Sequence, residues 1–177
     1  MELGYSELKN RLVDIDTEAF LIYGKEKHFS CYIVGGSALI FMGLISRATR
    51  DIDTIEAFPA EIKDVFEKYD MNLDVQAYET NFALDFKSRA RKIEIDTRVV
   101  DFYTLSPEDI VVSKLCSDFS DTRVHDWDDI RTPEILEKID WSLLEKIKNQ
   151  VKQQQLSFMR AEDLEANYKE YTKEYRK

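Results

Sequence analysis

The stretch that most constrains this chain is Tyr32-Ile33-Val34-Gly35-Gly36-Ser37-Ala38-Leu39, followed closely by Arg47-Ala48-Thr49-Arg50-Asp51-Ile52-Asp53-Thr54-Ile55. An apolar strand runs into a Gly-Gly-Ser turn, a helix follows, and a second strand carries two carboxylates at alternate positions. Side chains alternate faces along an extended strand, so Asp51 and Asp53 point one way with Ile52 between them on the other. Two carboxylates on one face repel each other unless a cation lies between them. Magnesium held by one or two carboxylates together with phosphate oxygens is the usual answer.

The glycines fit the other half of such a site. Gly35 and Gly36 permit a tight turn and close backbone approach, and Ser37 can cap an apolar helix from Ala38 to Leu44. Backbone N–H groups at Gly36 and Ser37 offer a positive dipole end to a phosphate, and the Ser37 hydroxyl adds a donor. Arg47 and Arg50 stand just before the carboxylates, where a guanidinium can grip phosphate bidentately.

The remaining elements give an α+β pattern. From about Tyr5 to Lys27, apolar residues recur at helical spacing, and Cys31–Val34 reads as a short buried strand. Asp51–Glu56 is the second strand, and Ile62, Val65, Phe66 and Tyr69 mark a helix after Phe58-Pro59. Residues 73–90 carry no clear period. Ile93–Asp96 and Val99–Tyr103 are β-rich and form one bent strand or a hairpin. Ser106-Pro107-Glu108-Asp109 starts a capped helix. Beyond it, Val124–Ile130, Pro133–Ile139, Trp141 to about Leu156 and Ala161–Arg176 all read as helical. Strands in the first half and helices in the second predict a small mixed sheet flanked by helices, with a helical C-terminal part. The domain division expected is a core over 1–117 and a helical region over 118–177 packed on it.

Composition limits the partners. At 177 residues and 44% hydrophobic, the chain is long enough for a real core. A net charge of −10 argues against a broad basic surface for nucleic acid, though a local basic cleft remains compatible with it. Cys31 and Cys116 are too few for a disulfide framework, no leader pattern opens the chain, and no apolar run reaches the roughly 20 residues of a membrane span. A cytoplasmic protein with no membrane partner is expected. His28 and His125 have no Cys or His neighbour at zinc spacing, and the Asp residues from 118 to 129 lack the Gly and terminal Glu of a calcium loop. The stripe Tyr168, Tyr171, Tyr175 on the last helix reads as packing, because the glutamates around it would repel a phosphate backbone.

Gly36-Ser37 followed by Asp51-Ile52-Asp53 resembles the signature of the nucleotidyltransferase superfamily related to DNA polymerase beta. More closely, VGGSALIFMGLISRATRDIDTI, SPEDIVVSKL and HDWDDI look like small bacterial nucleotidyltransferase-like proteins, some of whose relatives act as toxins in toxin–antitoxin or abortive-infection systems. The resemblance covers about residues 31–131. It implies a magnesium-dependent enzyme with a two-metal site, moving a nucleoside monophosphate from an NTP to RNA, a protein or a small molecule such as an aminoglycoside. An antitoxin-like protein is an implied partner. Asp51 and Asp53 would be metal ligands and catalytic, Gly35, Gly36, Ser37, Arg47 and Arg50 would bind nucleotide, and Lys114 would point its ammonium at the triphosphate. A third carboxylate, both catalytic and metal-binding, is placed by resemblance at Asp101, with Glu94 and Asp96 as open competitors. The same features also fit an inactive module that kept the fold and binds a partner or nucleotide.

Overall fold

A computed structural model describes residues 3–55, 58–73, 79–117 and 124–176. The chain divides into two compact units, Met1–Ala77 with Ala90–Leu105, and Tyr78–Arg89 with Ser106–Lys177. The division therefore falls after Leu105 rather than after residue 117, and the helix that starts at Ser106 belongs with the later helices.

The first unit is built on a five-stranded mixed sheet. Its strands are β1 (Phe29–Ile33), β2 (Ile52–Ile55), β3 (Met71–Asn72), β4 (Arg91–Lys92) and β5 (Val100–Thr104), in the order β3-β2-β1-β5-β4. β1 runs antiparallel to β2 and parallel to β5, β2 runs parallel to β3, and β4 runs antiparallel to β5. The β-rich residues 91–104 thus form a hairpin, but Ile93–Asp96 lie in its long connection rather than in a strand.

Among the described residues, three α-helices complete this unit: α1 (Tyr5–Tyr23), α2 (Gly35–Phe41) and α3 (Ala60–Lys68). α1 stops short of Lys27 because Gly24 takes φ 62° and its N–H returns to the Phe20 carbonyl. Leu8, Leu12, Ile15 and Ala19 form its buried stripe, and Ile62, Val65 and Phe66 that of α3. On the sheet, Phe29, Cys31, Ile33, Ile52, Thr54, Val100, Phe102 and Thr104 are all buried, and strand pairing puts them on one face.

One buried polar residue joins helix to sheet. Asp16, on the apolar stripe of α1, accepts the backbone N–H groups of Arg98, Val99 and Val100 at 2.8–3.0 Å. The Arg98 guanidinium adds an ion pair at 3.3 Å. Burial pushes the Asp16 carboxyl pKa up, but the three N–H donors and Arg98 outweigh it and hold the group below its ordinary value.

The second unit is helical: α4 (Pro107–Leu115), α5 (Val124–Ile130), α6 (Pro133–Leu136), α7 (Trp141–Gln154) and α8 (Phe158–Tyr175). Ser106 caps α4 by accepting the Asp109 N–H, and Asp140 caps α7 through the N–H groups of Ser142 and Leu143. The tyrosine stripe packs internally. Tyr171 is fully buried, donates to the Ile130 carbonyl at 2.7 Å and lies against Trp127, Trp141 and Tyr175. Arg89 clasps the buried Asp109 with two hydrogen bonds of 2.8 and 2.9 Å. Among the described residues, no helix is long and apolar enough to cross a membrane.

Candidate active site

The Gly-Gly-Ser turn is tighter than its sequence suggests. α2 begins at Gly35 itself, with Val34 at the cap position, so Ser37 does not cap the helix as expected. It sits buried in the first turn, and its hydroxyl donates to the Val34 carbonyl at 3.0 Å. The helix also ends earlier, at Phe41, where Gly43 takes a positive φ of 67°.

Gly35 has φ +65°, and a Cβ added there would come within 2.5 Å of Asp53 Oδ2. A Cβ on Gly36 would meet Arg47 Nη2 at 3.0 Å. The turn therefore holds a carboxylate against Gly35, at a positive φ that favours glycine, and a guanidinium against Gly36. β1 and β2 hold this arrangement, because the Val34 N–H donates to the Asp53 carbonyl at 2.9 Å. Arg47 also donates to the Ala48 carbonyl. The preceding loop is closed from a distance by the two-way backbone bridge between Leu3 and Thr49.

Asp53 is half-buried, and its Oδ1 accepts from Asn72 Nδ2 at 2.9 Å. Local sequence carried no signal for Asn72, since it arrives by the parallel pairing of β3 with β2, in register with Asp53. Asp51 lies just outside β2 and is exposed, as is Arg50. Glu56, the expected end of that strand, lies outside the described residues, as do Asp118 and Asp121 of the acidic run.

Strand register decides which acids meet. Tyr32 pairs with Ile55, and Ser30 and Tyr32 pair with Asp101 and Tyr103. Paired residues share a face, so Asp53, Tyr32, Asp101, Tyr103 and Lys92 all project from the side opposite the buried apolar face. Asp101 and Asp53 nevertheless stand at opposite ends of it. Asp101 lies across from Ser30, whereas Asp53 lies across from Val34, four residues along β1. That is about 13 Å along the strand, with two strand spacings of about 4.8 Å across it. Two metals about 3.5–4 Å apart are not bridged over such a gap.

Asp101 has a different partner: Lys92 Nζ lies 2.6 Å from its carboxylate, and this hydrogen bond raises the lysine pKa. Glu94 and Asp96 do not replace it, because the hairpin carries them past Lys92 toward the Asp101 end. Lys114 is likewise committed elsewhere. It is buried, with its ammonium 2.5 Å from Asp126 and 3.0 Å from Asp129, and Ser117 donates to the other Asp126 oxygen at 3.1 Å. The expected free ammonium on a triphosphate is thus an ion-pair centre tying α4 to α5.

Among the described residues, no group of three or more His, Cys, Asp or Glu side chains is arranged to hold a metal. The donors at the Gly-Gly turn, Asp53 and nearby Asp51, fit an ion that brings phosphate oxygens with it rather than one needing a complete protein cage.

No curated protein and no solved structure gives a significant match to the chain. A family model does match, over residues 10–176, and so takes in both units. The chain belongs to the family described as "Nucleotidyltransferase of unknown function (DUF6036)".

Proposed function

We propose that this chain is a magnesium-dependent nucleotidyltransferase that moves a nucleoside monophosphate from an NTP to an acceptor. The observation that carries this reading is the close approach of Asp53 and Arg47 to the backbone of Gly35 and Gly36. Acidic and basic groups set against one glycine turn provide for both a metal-bound phosphate and its excess charge.

Asp51 and Asp53 would hold the ion, and the Gly36 and Ser37 N–H groups together with Arg47 and Arg50 would bind the phosphate chain. Magnesium, when bound, offsets negative charge on the phosphates. In the transfer, an acceptor oxygen bonds to the α-phosphorus, the bond to the bridging oxygen breaks, and pyrophosphate leaves with that electron pair. The acceptor proton passes to a carboxylate or to solvent. Asn72 holds one oxygen of Asp53 and so orients the other toward the turn.

A second reading, a nucleotide-binding or partner-binding module without turnover, is favoured by one observation: Asp101 is paired with Lys92, away from Asp53. The toxin role, the antitoxin-like partner and a cytoplasmic setting rest on resemblance and composition and belong to the same proposal.

Calorimetry with NTP and magnesium tests the nucleotide site. Binding that is lost in Asp51→Asn/Asp53→Asn is expected, and identical weak heats for both proteins would sink the enzyme and the nucleotide-binding form of the module. Incubation with α-labelled NTP and total RNA, protein or aminoglycosides then separates them. Label transferred by the wild type and not by the Asp53 variant supports the enzyme, while magnesium-dependent binding without label in any acceptor supports the module.

A further inference from the structure

We propose that Tyr32 and Tyr103 form the nucleobase seat of the nucleotide site, an inference that rests on the reading above. The two rings stack with centroids 5.1 Å apart and planes 21° from parallel. This separation is close to the strand spacing of about 4.8 Å, so the rings stand side by side on neighbouring strands. They present their edges and hydroxyls away from the sheet.

Their face is the one that carries Asp53. Register places Tyr32 opposite Ile55 on β2 and opposite Tyr103 on β5, and Tyr103 opposite Lys92 on β4. Residues on the other face of these strands are buried aliphatic, Phe, Cys and Thr side chains, whereas both tyrosines are only half-buried. Ile55, opposite Tyr32, is buried. Tyr32 precedes Gly35 by three residues, about 10 Å of extended strand. With phosphates at the Gly-Gly turn, a base reaching back along β1 lies over the tyrosine pair, and the ribose lies between.

The chemistry suits a base. Phenol edges carry the positive part of the ring quadrupole and meet a base π-face edge-on, while the hydroxyls both donate and accept. A chain with net charge −10 does not attract nucleotides by its overall field. Contacts to the uncharged base are therefore the economical source of selectivity for a nucleotide over bare polyphosphate.

The test compares the four magnesium NTPs with magnesium tripolyphosphate by calorimetry, on the wild type, Tyr103→Leu and Tyr32→Phe/Tyr103→Phe. The wild type is expected to bind at least one NTP up to about tenfold tighter than tripolyphosphate, the scale of one edge-to-face aromatic contact. Tyr103→Leu should abolish that gap and leave tripolyphosphate affinity unchanged. The double Phe variant keeps both rings and should narrow the spread of affinities among the four bases; it carries the test if the Leu variant does not fold. A gap that survives in Tyr103→Leu, or a spread that survives undiminished in the double Phe variant, overturns the base seat while leaving the phosphate site intact. Equal wild-type affinity for NTP and tripolyphosphate overturns it too. Absence of wild-type binding to either ligand overturns the nucleotide site itself.

Discussion

Asp53 Oδ2 occupies the space that a side chain on Gly35 would need, with 2.5 Å separating it from an added Cβ, and Gly35 also holds φ +65°. Gly35→Ala therefore incurs both a strained backbone and a displaced carboxylate. A destabilisation of about 1–3 kcal/mol is expected from the backbone alone, read by denaturant unfolding. Magnesium-dependent NTP affinity should fall with it. Gly36→Ala is the control: its Cβ meets only the flexible end of Arg47, at 3.0 Å, and a helical position gains from Ala. Its stability should match or exceed wild type, so equal losses in the two variants would count against the close approach at Gly35.

Asp101 offers the sharpest check on the register. Its partner Lys92 is half-exposed, and surface pairs of this kind contribute about 0–1 kcal/mol. Asp101→Asn should thus leave the unfolding midpoint nearly unchanged. Metal-dependent nucleotide affinity should also stay within about twofold of wild type, while Asp53→Asn loses it. Equal losses in the two variants would show that Asp101 reaches the metal and that the sheet register is different in solution.

Much of the fold was legible because it is written locally. The Gly-Gly turn, the Ser106-Pro107 helix start and the 3.6-residue stripes of α1, α3 and α7 each lie within one short window, and each produced its element. What sequence did not reveal depends on residues far apart in the chain. Asn72 reaches Asp53 only through a two-residue parallel strand, and Leu3 closes the loop at Thr49. The third acid illustrates the same limit. Val99-Val100-Asp101 reads as a strand with a polar interruption, but which end of the sheet Asp101 occupies is set by pairing with β1. Nothing in the sequence of α1 sets Asp16 apart from its other polar residues, because the three N–H groups it meets lie some 80 positions later.

Lys114 separates a structural from a nucleotide role. Replacing it with Met keeps the alkyl stem but removes the ammonium paired with Asp129, which is 3% exposed. Breaking a buried pair from one side costs about 3–5 kcal/mol, so Lys114→Met should unfold at markedly lower denaturant. Nucleotide affinity, measured where the variant remains folded, should be preserved. A stable variant with weakened NTP binding would return Lys114 to the phosphate site.

Asp16 makes the stability of the sheet unit depend on pH in a defined direction. Its carboxylate satisfies the N–H groups of Arg98, Val99 and Val100, so the folded state favours the ionised form and lowers the pKa. A lowered folded pKa contributes stability that is fully present above the unfolded value of about 3.9 and is lost as pH falls through the folded value below it. Asp16→Asn keeps one acceptor oxygen but turns an amide toward donors that need an acceptor. A loss of about 2–3 kcal/mol is expected at neutral pH, the scale of a hydrogen bond to a charged group left unmade. Urea unfolding from pH 7 to pH 3 should show a constant gap between wild type and variant down to about pH 5, narrowing below about pH 4 as the wild-type carboxyl protonates. A gap independent of pH throughout that range would mean that the carboxylate charge does not contribute and that shape alone holds α1 to β5.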